Sequence, residues 1–171
     1  QCQLASFYPG AMTEAKNIAL TPIVDRYGIE LLLVGASDPD AMVAETEEAR
    51  ALGLAFAADP SQQLPRLDGD QCRSLVDGAR YLFSNEYEWE LLTRKTGWDA
   101  DEITSRVGLR VTTLSDKGVR LVGSDGTDLS LPVVPARTIK DPTGVGDGFR
   151  AGFLAGVDGG LPVERAAQLG T

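Results

Sequence analysis

The stretch "ELLLVGASDPDAMVAETEEARALGLAFAADPS" (Glu30–Ser61) predicts a strand, a helix and a second strand. It opens with an apolar run whose length suits a buried strand. Asp38 can cap the helix that follows, Pro39 suits the first turn, and Gly53 suits the helix end. The run "LAFAADPS" then returns to a strand. Two strands joined by a helix are typical of a parallel sheet.

The alternation of strands and helices continues along the rest of the chain. A helix in "DGDQCRSLVDGA", a strand in "RYLFSN" and a helix in "EYEWELLTRKTG" come next. A short helix, a strand, a turn and a strand follow, and then a glycine-rich loop and a final helix. This order predicts an α/β fold of three layers, a mostly parallel sheet flanked by helices. Ligands bind at the carboxyl ends of such strands. We therefore expect a site in the loops after Ser37, Ala58, Phe83, Thr113 and Ile139.

Composition and charge exclude several functions. The 171 residues carry a net charge of -9, which argues against nucleic acid or an anionic membrane as the main partner. The longest apolar runs are too short to span a bilayer. The chain has no histidine, so it cannot itself form a Ser-His-Asp or Cys-His centre or a His-ligated metal site. Cys2 and Cys72 lack metal or redox spacing, so we expect free thiols and a cytoplasmic protein.

The stretch "IKDPTGVGDGFRAGFLAG" (Ile139–Gly156) places one carboxylate, Asp147, in a glycine-rich turn before a helix. In one interpretation, Asp147 only caps that helix. In the other, the backbone N–H groups of Gly144, Val145 and Gly146 bind an anion, and Asp147 takes a proton from a substrate hydroxyl. That pairing suits phosphoryl transfer, which needs donors for the transferred group and a base for the attacking oxygen.

Other interpretations of the glycines fit less well. A dinucleotide-binding fingerprint needs glycine where Phe149 stands, and an acid in the loop would repel a pyrophosphate. The G-x-x-x-x-G-K-[ST] string of a P-loop is absent from the sequence. The spacing of Gly148, Gly152 and Gly156 does not indicate a membrane helix, because the segment is short and carries Arg150. We expect these glycines to let the helix lie close against the sheet.

The segment "DPTGVGD" (Asp141–Asp147) resembles the D-x-x-G-x-G-D signature of the ribokinase-like sugar and nucleoside kinases, the phosphofructokinase-B family. "SFYPGAM", "ADPSQQL" and "SNEYEWELLTRKTGW" extend the resemblance over nearly the whole chain. Together they are most similar to bacterial, in particular actinobacterial, adenosine kinases. The resemblance implies a ribokinase-like fold, ATP and Mg²⁺ as cofactors, Asp147 as the catalytic base and residues 144–147 as the anion hole. In some relatives the region of Asp141 also supplies backbone oxygens to a potassium ion.

The resemblance also implies an ATP and magnesium region. Asn85 and Glu88 match the N-x-x-E motif that holds the nucleotide phosphates and magnesium-bound water, with Glu88 as a metal ligand through water. The alternative is an Asn cap with an acidic first turn. Thr113 and Gly118 match the T-x-G-x-x-G segment that borders the nucleotide, and Ser115 replaces its usual first glycine. A plain hairpin turn at this segment is compatible with that role.

For the nucleoside site, the resemblance implies that Phe7 stacks on adenine and that Gln62 and Gln63 line the pocket. An aromatic face suits a purine, and side-chain amides suit ribose hydroxyls or base edges. The alternatives are core packing for Phe7 and an ordinary polar loop for the two glutamines.

The chain also lacks segments that this family carries. No N-terminal G-G-N loop, lid or completing C-terminal helices are recognised, so we expect residues 1–171 to be a single partial kinase domain, truncated at both ends. We expect such a chain to phosphorylate adenosine poorly by itself. Because the lid often mediates dimers in this family, a homodimer through the lid is also expected.

Three functions stay open at this point. The first is ATP-dependent phosphorylation of the 5′-hydroxyl of adenosine, and the second is a sugar kinase of the ribokinase or fructokinase type. Competition between adenosine and ribose separates these two. The third is a non-catalytic nucleotide-binding remnant, which nucleotide binding without phosphorylation would favour.

Overall fold

The computed structural model describes residues 7–136, 138, 141 and 143–171. The predictions for Cys2 and for the strand end at Ile139 lie outside the described residues. The strands are β1 (Leu31–Val34), β2 (Ala55–Ala58), β3 (Tyr81–Asn85), β4 (Leu109–Thr113), β5 (Val119–Gly123) and β6 (Asp128–Leu131). The α-helices are α1 (Thr21–Tyr27), α2 (Pro39–Leu52), α3 (Gly69–Val76), α4 (Glu86–Thr96), α5 (Ala100–Arg106), α6 (Val145–Asp158) and α7 (Val163–Gly170). Short 3-10 helices cover Gly10–Asn17, Ser61–Gln63 and Ser115–Lys117.

The six strands form one sheet in the order β1-β2-β3-β4-β5-β6. Strands β1 to β4 pair in parallel, which confirms the predicted crossover units. Strand β4 pairs antiparallel with β5, and β5 with β6. The sequence did not separate β6 from the strand before it. This strand is short, and it forms by pairing along β5, where Val119 lies opposite Leu131.

Helices cover both faces of the sheet, as the three-layer prediction required. On one face, the core cluster contains Met42 and Ala49 of α2, Leu75 of α3, Leu92 of α4 and Ile103 of α5. The opposite face carries α6 and α7. Its core cluster includes Tyr81, Phe83, Val111, Phe149, Phe153 and Ala166. The ring of Phe153 contacts both Tyr81 and Phe83 edge-to-face, with centroids 5.4 and 5.6 Å away. These contacts fix α6 over the central strands.

Local signals set the ends of α2 as predicted. The side chain of Asp38 accepts hydrogen bonds from the backbone N–H groups of Asp40 and Ala41. Gly53 ends the helix with a left-handed backbone, φ 65°. The segment around Asp38 is therefore a turn and a helix cap.

The prediction for the glycines of α6 was wrong about their partner. A Cβ on Gly152 would lie 2.8 Å from Gly170, and one on Gly156 would lie 2.8 Å from Ala166. Both glycines thus let α7 pack closely on α6, rather than α6 on the sheet. A Cβ on Gly148 would meet nothing within 4 Å. The spacing of small residues in the sequence thus shows neither which glycine is closely approached nor what approaches it.

Within the described ranges, no helix is both long enough and apolar enough to cross a membrane.

Candidate active site

A cavity of about 660 Å³ opens at the carboxyl ends of β1 to β4, beside the N-terminus of α6. The loops predicted after Ala58 and Phe83 line it. The prediction was wrong for the loops after Ser37 and Thr113. Among the described residues, the chain just after β1 contributes only Gly35 and Ala36, and β4 contributes Thr113 but the turn that follows it contributes nothing. Its polar lining side chains are Asp59, Ser61, Gln62, Ser84, Asn85, Glu88, Thr113, Thr143, Asp147 and Arg150. Gly144 and Gly146 also line it. Strand ends and the glycine loop therefore form one site, as the parallel sheet predicted.

Asp147 belongs to the first turn of α6 and is not its cap. Gly144 occupies the capping position with a left-handed backbone, φ 79°, and Val145 is the first helical residue. The capping interpretation of Asp147 was therefore wrong. The N–H groups of Val145, Gly146 and Asp147 lie in the first turn, where a helix provides no acceptors of its own. They give this corner of the cavity a partial positive charge, which favours an anion.

Asn85 and Glu88 form a reciprocal capping box at the start of α4. Asn85 Oδ1 accepts from the Glu88 N–H at 2.8 Å, and Glu88 Oε2 accepts from the Asn85 N–H at 2.8 Å. Both residues also line the cavity. The helix-start alternative is thus confirmed, and it leaves Glu88 Oε1 available to a ligand. The role of the pair toward nucleotide and magnesium stays a prediction.

Thr113, the last residue of β4, lines the cavity, whereas Gly118 in the β4–β5 turn does not. Thr113 ends β4, and its Oγ1 donates to the Ser84 carbonyl at 3.5 Å. Gly118 closes the hairpin, where the Leu114 N–H donates to its carbonyl at 2.7 Å. Ser115 has a positive φ of 56°, the conformation that glycine adopts readily. The glycine that Ser115 replaces would relieve this strain.

The predicted nucleoside-binding residues are spread over the surface and the interior. Gln62 lines the cavity. Gln63 is buried next to it, and its Oε1 accepts from Arg66 at 3.3 Å. The side chain of Phe7 is 68% exposed and does not line the cavity. The roles of these three residues toward a nucleoside stay predictions.

Val145, predicted for the anion hole, also has an exposed side chain that does not line the cavity. Its predicted role needs only its backbone N–H and stays a prediction.

The sequence reasoning missed two charged residues of the cavity, Asp59 and Arg150. Asp59 follows β2 directly, and its Oδ2 lies 2.7 Å from Arg150 Nε. Arg150 Nη2 also donates to Asp147 Oδ1. Burial raises the pKa of Asp59 to about 6; Arg150 opposes that rise, and the carboxylates of Glu88 and Asp147 add to it. An acid directly after a parallel strand was the available signal for Asp59.

The amino-acid sequence matches a family profile described as pfkB family carbohydrate kinase over residues 6–171. The chain belongs to the pfkB family. The six-stranded, mostly parallel sheet with flanking helices is the ribokinase-like α/β fold.

Three relatives illustrate the similarity. A nucleoside kinase of Methanocaldococcus jannaschii is 27% identical over 98% of this chain and 54% of its own. The structure of Burkholderia thailandensis nucleoside kinase in complex with inosine is 37% identical, with a TM-score of 0.92 over 99% of this chain and 55% of that one. Adenosine kinase 1 of Arabidopsis thaliana is 27% identical over 59% of this chain and 33% of its own. The pfkB chain thus spans about half the length of the two nucleoside kinases.

The cavity offers a carboxylate oxygen that suits a magnesium ion bound through water. Glu88 Oε1 forms no hydrogen bond in the described part of the chain, whereas Asp59 Oδ1 is fully buried and is not accessible from the cavity. Mg²⁺ usually takes one or two carboxylates and completes its shell with water and substrate phosphates. No group of three or more acidic, histidine or cysteine side chains among the described residues could hold a metal alone. Glu88 therefore fits an ion that takes its other ligands from water and substrate phosphates.

Proposed function

We propose that this chain carries the catalytic centre of an ATP-dependent nucleoside kinase that phosphorylates the 5′-hydroxyl of a purine nucleoside, with adenosine as the first candidate. One observation carries the proposal. The Asp147 carboxylate and the free amide groups of the α6 N-terminus line one cavity, together with Asn85 and Glu88. Membership of the pfkB family supports phosphoryl transfer as the reaction.

In the proposed reaction, Asp147 takes the proton from the 5′-hydroxyl as that oxygen attacks the γ-phosphorus of ATP. A new P–O bond forms to the nucleoside, and the bond from the γ-phosphorus to the ADP oxygen breaks. The N–H groups of Gly144, Val145 and Gly146 stabilise the charge on the transferred group. The products are ADP, a nucleoside monophosphate and one proton, which leaves through Asp147.

Glu88 would hold magnesium through water, and Asn85 would lie beside the nucleotide phosphates with Thr113 and Gly118 further along the same edge. The ion neutralises charge on the phosphates when bound. A potassium ion near Asp141 is a further expectation. There the Thr143 N–H donates to Asp141 Oδ1 at 2.8 Å, which lowers the pKa of Asp141.

The names of relatives support a nucleoside over a free sugar. The structure of the similar Burkholderia protein is in complex with inosine, and a second structure of it is with ADP-inosine. For this chain, Phe7, Gln62 and Gln63 would form the nucleoside side of the site. A sugar kinase is the second candidate, because the family profile is described as a carbohydrate kinase. We further propose that the protein works in the cytoplasm, which supplies ATP, and that it takes part in purine salvage. We also propose that the complete protein forms a homodimer.

The test of the mechanism is Asp147→Asn in the complete protein. Removing a general base should lower kcat by about 10²- to 10⁴-fold, while the Kd for the nucleoside changes less than about threefold. Asp158→Asn at the other end of α6 is the matched control and should keep the wild-type kcat. A wild-type kcat in Asp147→Asn would remove Asp147 from the reaction.

The substrate class is tested by competition between adenosine, inosine and ribose for limiting enzyme with ATP. We expect phosphorylation of the nucleosides to proceed almost unaffected by equimolar ribose. Preferential phosphorylation of ribose would favour the sugar kinase instead.

A further inference from the structure

The guanidinium of Arg150 lies between two carboxylates of the same cavity. Its Nε is 2.7 Å from Asp59 Oδ2, and its Nη2 donates to Asp147 Oδ1. The side chain of Arg150 is only 17% exposed, and that of Asp59 only 4%. Arg150 Nη1 lies beside Gly146, where a Cβ would come within 3.2 Å of it. One side chain thus joins the end of β2 to the first turn of α6, which begins in the glycine-rich stretch.

Asp59 fixes this arrangement from the sheet. Its backbone N–H donates to the Val34 carbonyl at 2.9 Å, which extends the contact between β1 and β2 past the end of β2. Its carboxylate is buried, and a buried charge is tolerated only when it is well paired. The paired oxygen is the one that contacts Arg150. Arg150 is therefore held from the rigid central layer as well as by its own helix.

Asp147 needs such a restraint. Its side chain is 79% exposed, and Arg150 is its only side-chain partner among the described residues. The contact engages Oδ1 and leaves Oδ2 free for a substrate hydroxyl. A general base must lie within hydrogen-bond reach of the proton that it takes, and small displacements are costly. An unrestrained aspartate on an exposed first turn would sample several rotamers.

We propose that Arg150 is a positioning residue for the base Asp147, and that Asp59 positions Arg150. This inference rests on the proposed role of Asp147. It differs from a purely structural ion pair, which would support the fold without affecting the chemical step. The Asp59–Arg150 pair joins residues that are far apart in sequence, whereas Arg150 and Asp147 are neighbours on one face of α6.

The experiment compares Arg150→Gln, Asp59→Asn and the double variant in the complete protein, with kcat and KM measured for the nucleoside and for ATP. We expect each single variant to lower kcat by about 10- to 100-fold, as loss of a supporting contact commonly does, while the nucleoside KM stays within about threefold. The double variant should lose no more than about threefold beyond the worse single variant, because the two residues act as one unit.

Two further variants separate positioning from folding. Arg150→Lys keeps the charge, but a single ammonium cannot span both carboxylates, so its kcat should fall between those of wild type and Arg150→Gln. Arg73→Gln removes another i, i+3 pair, with Asp70 on α3, together with a hydrogen bond to the Thr96 carbonyl. Arg73 lies outside the cavity, so this variant should keep the wild-type kcat. Thermal unfolding identifies any variant that has lost its fold. If Arg150→Gln is unfolded, the kcat of Arg150→Lys tests the positioning role in its place.

A wild-type kcat in Arg150→Gln, or losses that multiply in the double variant, would overturn the inference while the proposed function stands. A complete wild-type protein that phosphorylates no nucleoside or sugar would overturn the proposed function, and the inference with it.

Discussion

At the scale of single residues, the buried carboxylate of Asp59 lowers the stability of the fold, because its charge loses contact with water. One of its oxygens pairs with Arg150, and the other is buried without a partner among the described residues. Replacing such a group by an apolar one often stabilises a protein, so its presence here is better explained by the site than by stability. Its protonation should leave a measurable trace in the stability.

We expect Asp59 to make the protein less stable as the pH rises from about 4 to about 6. Its pKa is about 6 in the fold against an ordinary 3.8, so the folded state binds the proton more tightly than the unfolded chain. The contribution of Asp59 to the unfolding free energy therefore falls across this window, by on the order of 2–3 kcal/mol, and is constant above it. Asp59→Asn should remove that fall, as measured by urea unfolding at several pH values.

The control for this prediction has the opposite sign. Hydrogen bonds from Arg120 lower the pKa of Asp128, so Asp128 adds stability above its ordinary pKa and loses it as the pH falls. The difference between wild type and Asp128→Asn should therefore grow as the pH rises from the acid side. Identical pH slopes in wild type and Asp59→Asn would contradict the prediction.

Ser115 stores backbone strain that a glycine would release. Its φ of 56° lies in the left-handed region, which costs a residue with a Cβ roughly 1–2 kcal/mol. Glycine also has more freedom in the unfolded chain, which offsets part of the gain. We expect Ser115→Gly to raise the unfolding free energy by about 0.5 kcal/mol in a denaturant titration. Ser124→Gly, in a turn without a positive φ, should lower it instead. A loss of stability in Ser115→Gly would show that the turn is not strained.

At the scale of elements, two glycines in the turns next to the antiparallel strands differ in what surrounds them. Gly118 and Gly126 both have left-handed backbones, with φ of 100° and 91°. A Cβ on Gly118 would lie 1.9 Å from the Leu131 carbonyl oxygen of β6, whereas one on Gly126 would meet nothing within 4 Å. Of these two glycines, the pairing of β5 with β6 therefore requires the one at position 118.

Gly118→Ala should cost at least about 3 kcal/mol, because the methyl group cannot fit without separating β5 from β6. Gly126→Ala should cost only about 1 kcal/mol, the backbone penalty alone. Urea unfolding of the two variants measures the difference. Equal losses would show that the edge of β6 yields easily, and the resemblance of Gly118 to a nucleotide-bordering glycine would then be its main explanation.

Elements whose ends are set locally could be predicted from the sequence. Asp38 and Gly53 bound α2, and Asn85 with Glu88 starts α4, because caps bond groups only a few residues away. The position of the site at the carboxyl ends of the parallel strands could be predicted from the alternation of strands and helices. The partner of the α6 glycines could not be predicted, since it depends on where α7 packs. The Asp59–Arg150 pair joins distant segments, and no local rule connects them.

At the scale of the whole molecule, positive groups are fixed inside the cavity of a chain whose overall charge is negative. The chain carries a net charge of -9, yet its cavity gathers a helix N-terminus and a buried arginine beside three carboxylates. Free amide groups and a fixed cation can receive a phosphoryl group locally even when the surface repels polyanions. The net charge of the chain is therefore a weaker guide to the ligand of the cavity than the fixed groups at the strand ends.

The described lining of the cavity comes from the strand ends and the loops after β2 and β3, from Glu88 of α4, and from the glycine-rich stretch and α6. Phe7, the predicted contact to adenine, is exposed and is not part of that lining. Correct placement of two reactants supplies about 7–11 kcal/mol toward a reaction barrier, so a nucleoside held without that contact forfeits part of it. We expect the 171-residue chain alone to convert adenosine and ATP to AMP and ADP at least about 1,000-fold more slowly than the complete protein.

A coupled assay of ADP formation measures this difference, with circular dichroism to verify that the shorter chain is folded. Asp147→Asn in the complete protein sets the rate that remains without the base, and the isolated chain should fall near it. Binding of ATP should survive better than turnover, because Asn85, Glu88 and the α6 N-terminus are all present. Turnover within about tenfold of the complete protein would show instead that these 171 residues already enclose the nucleoside and form a sufficient kinase.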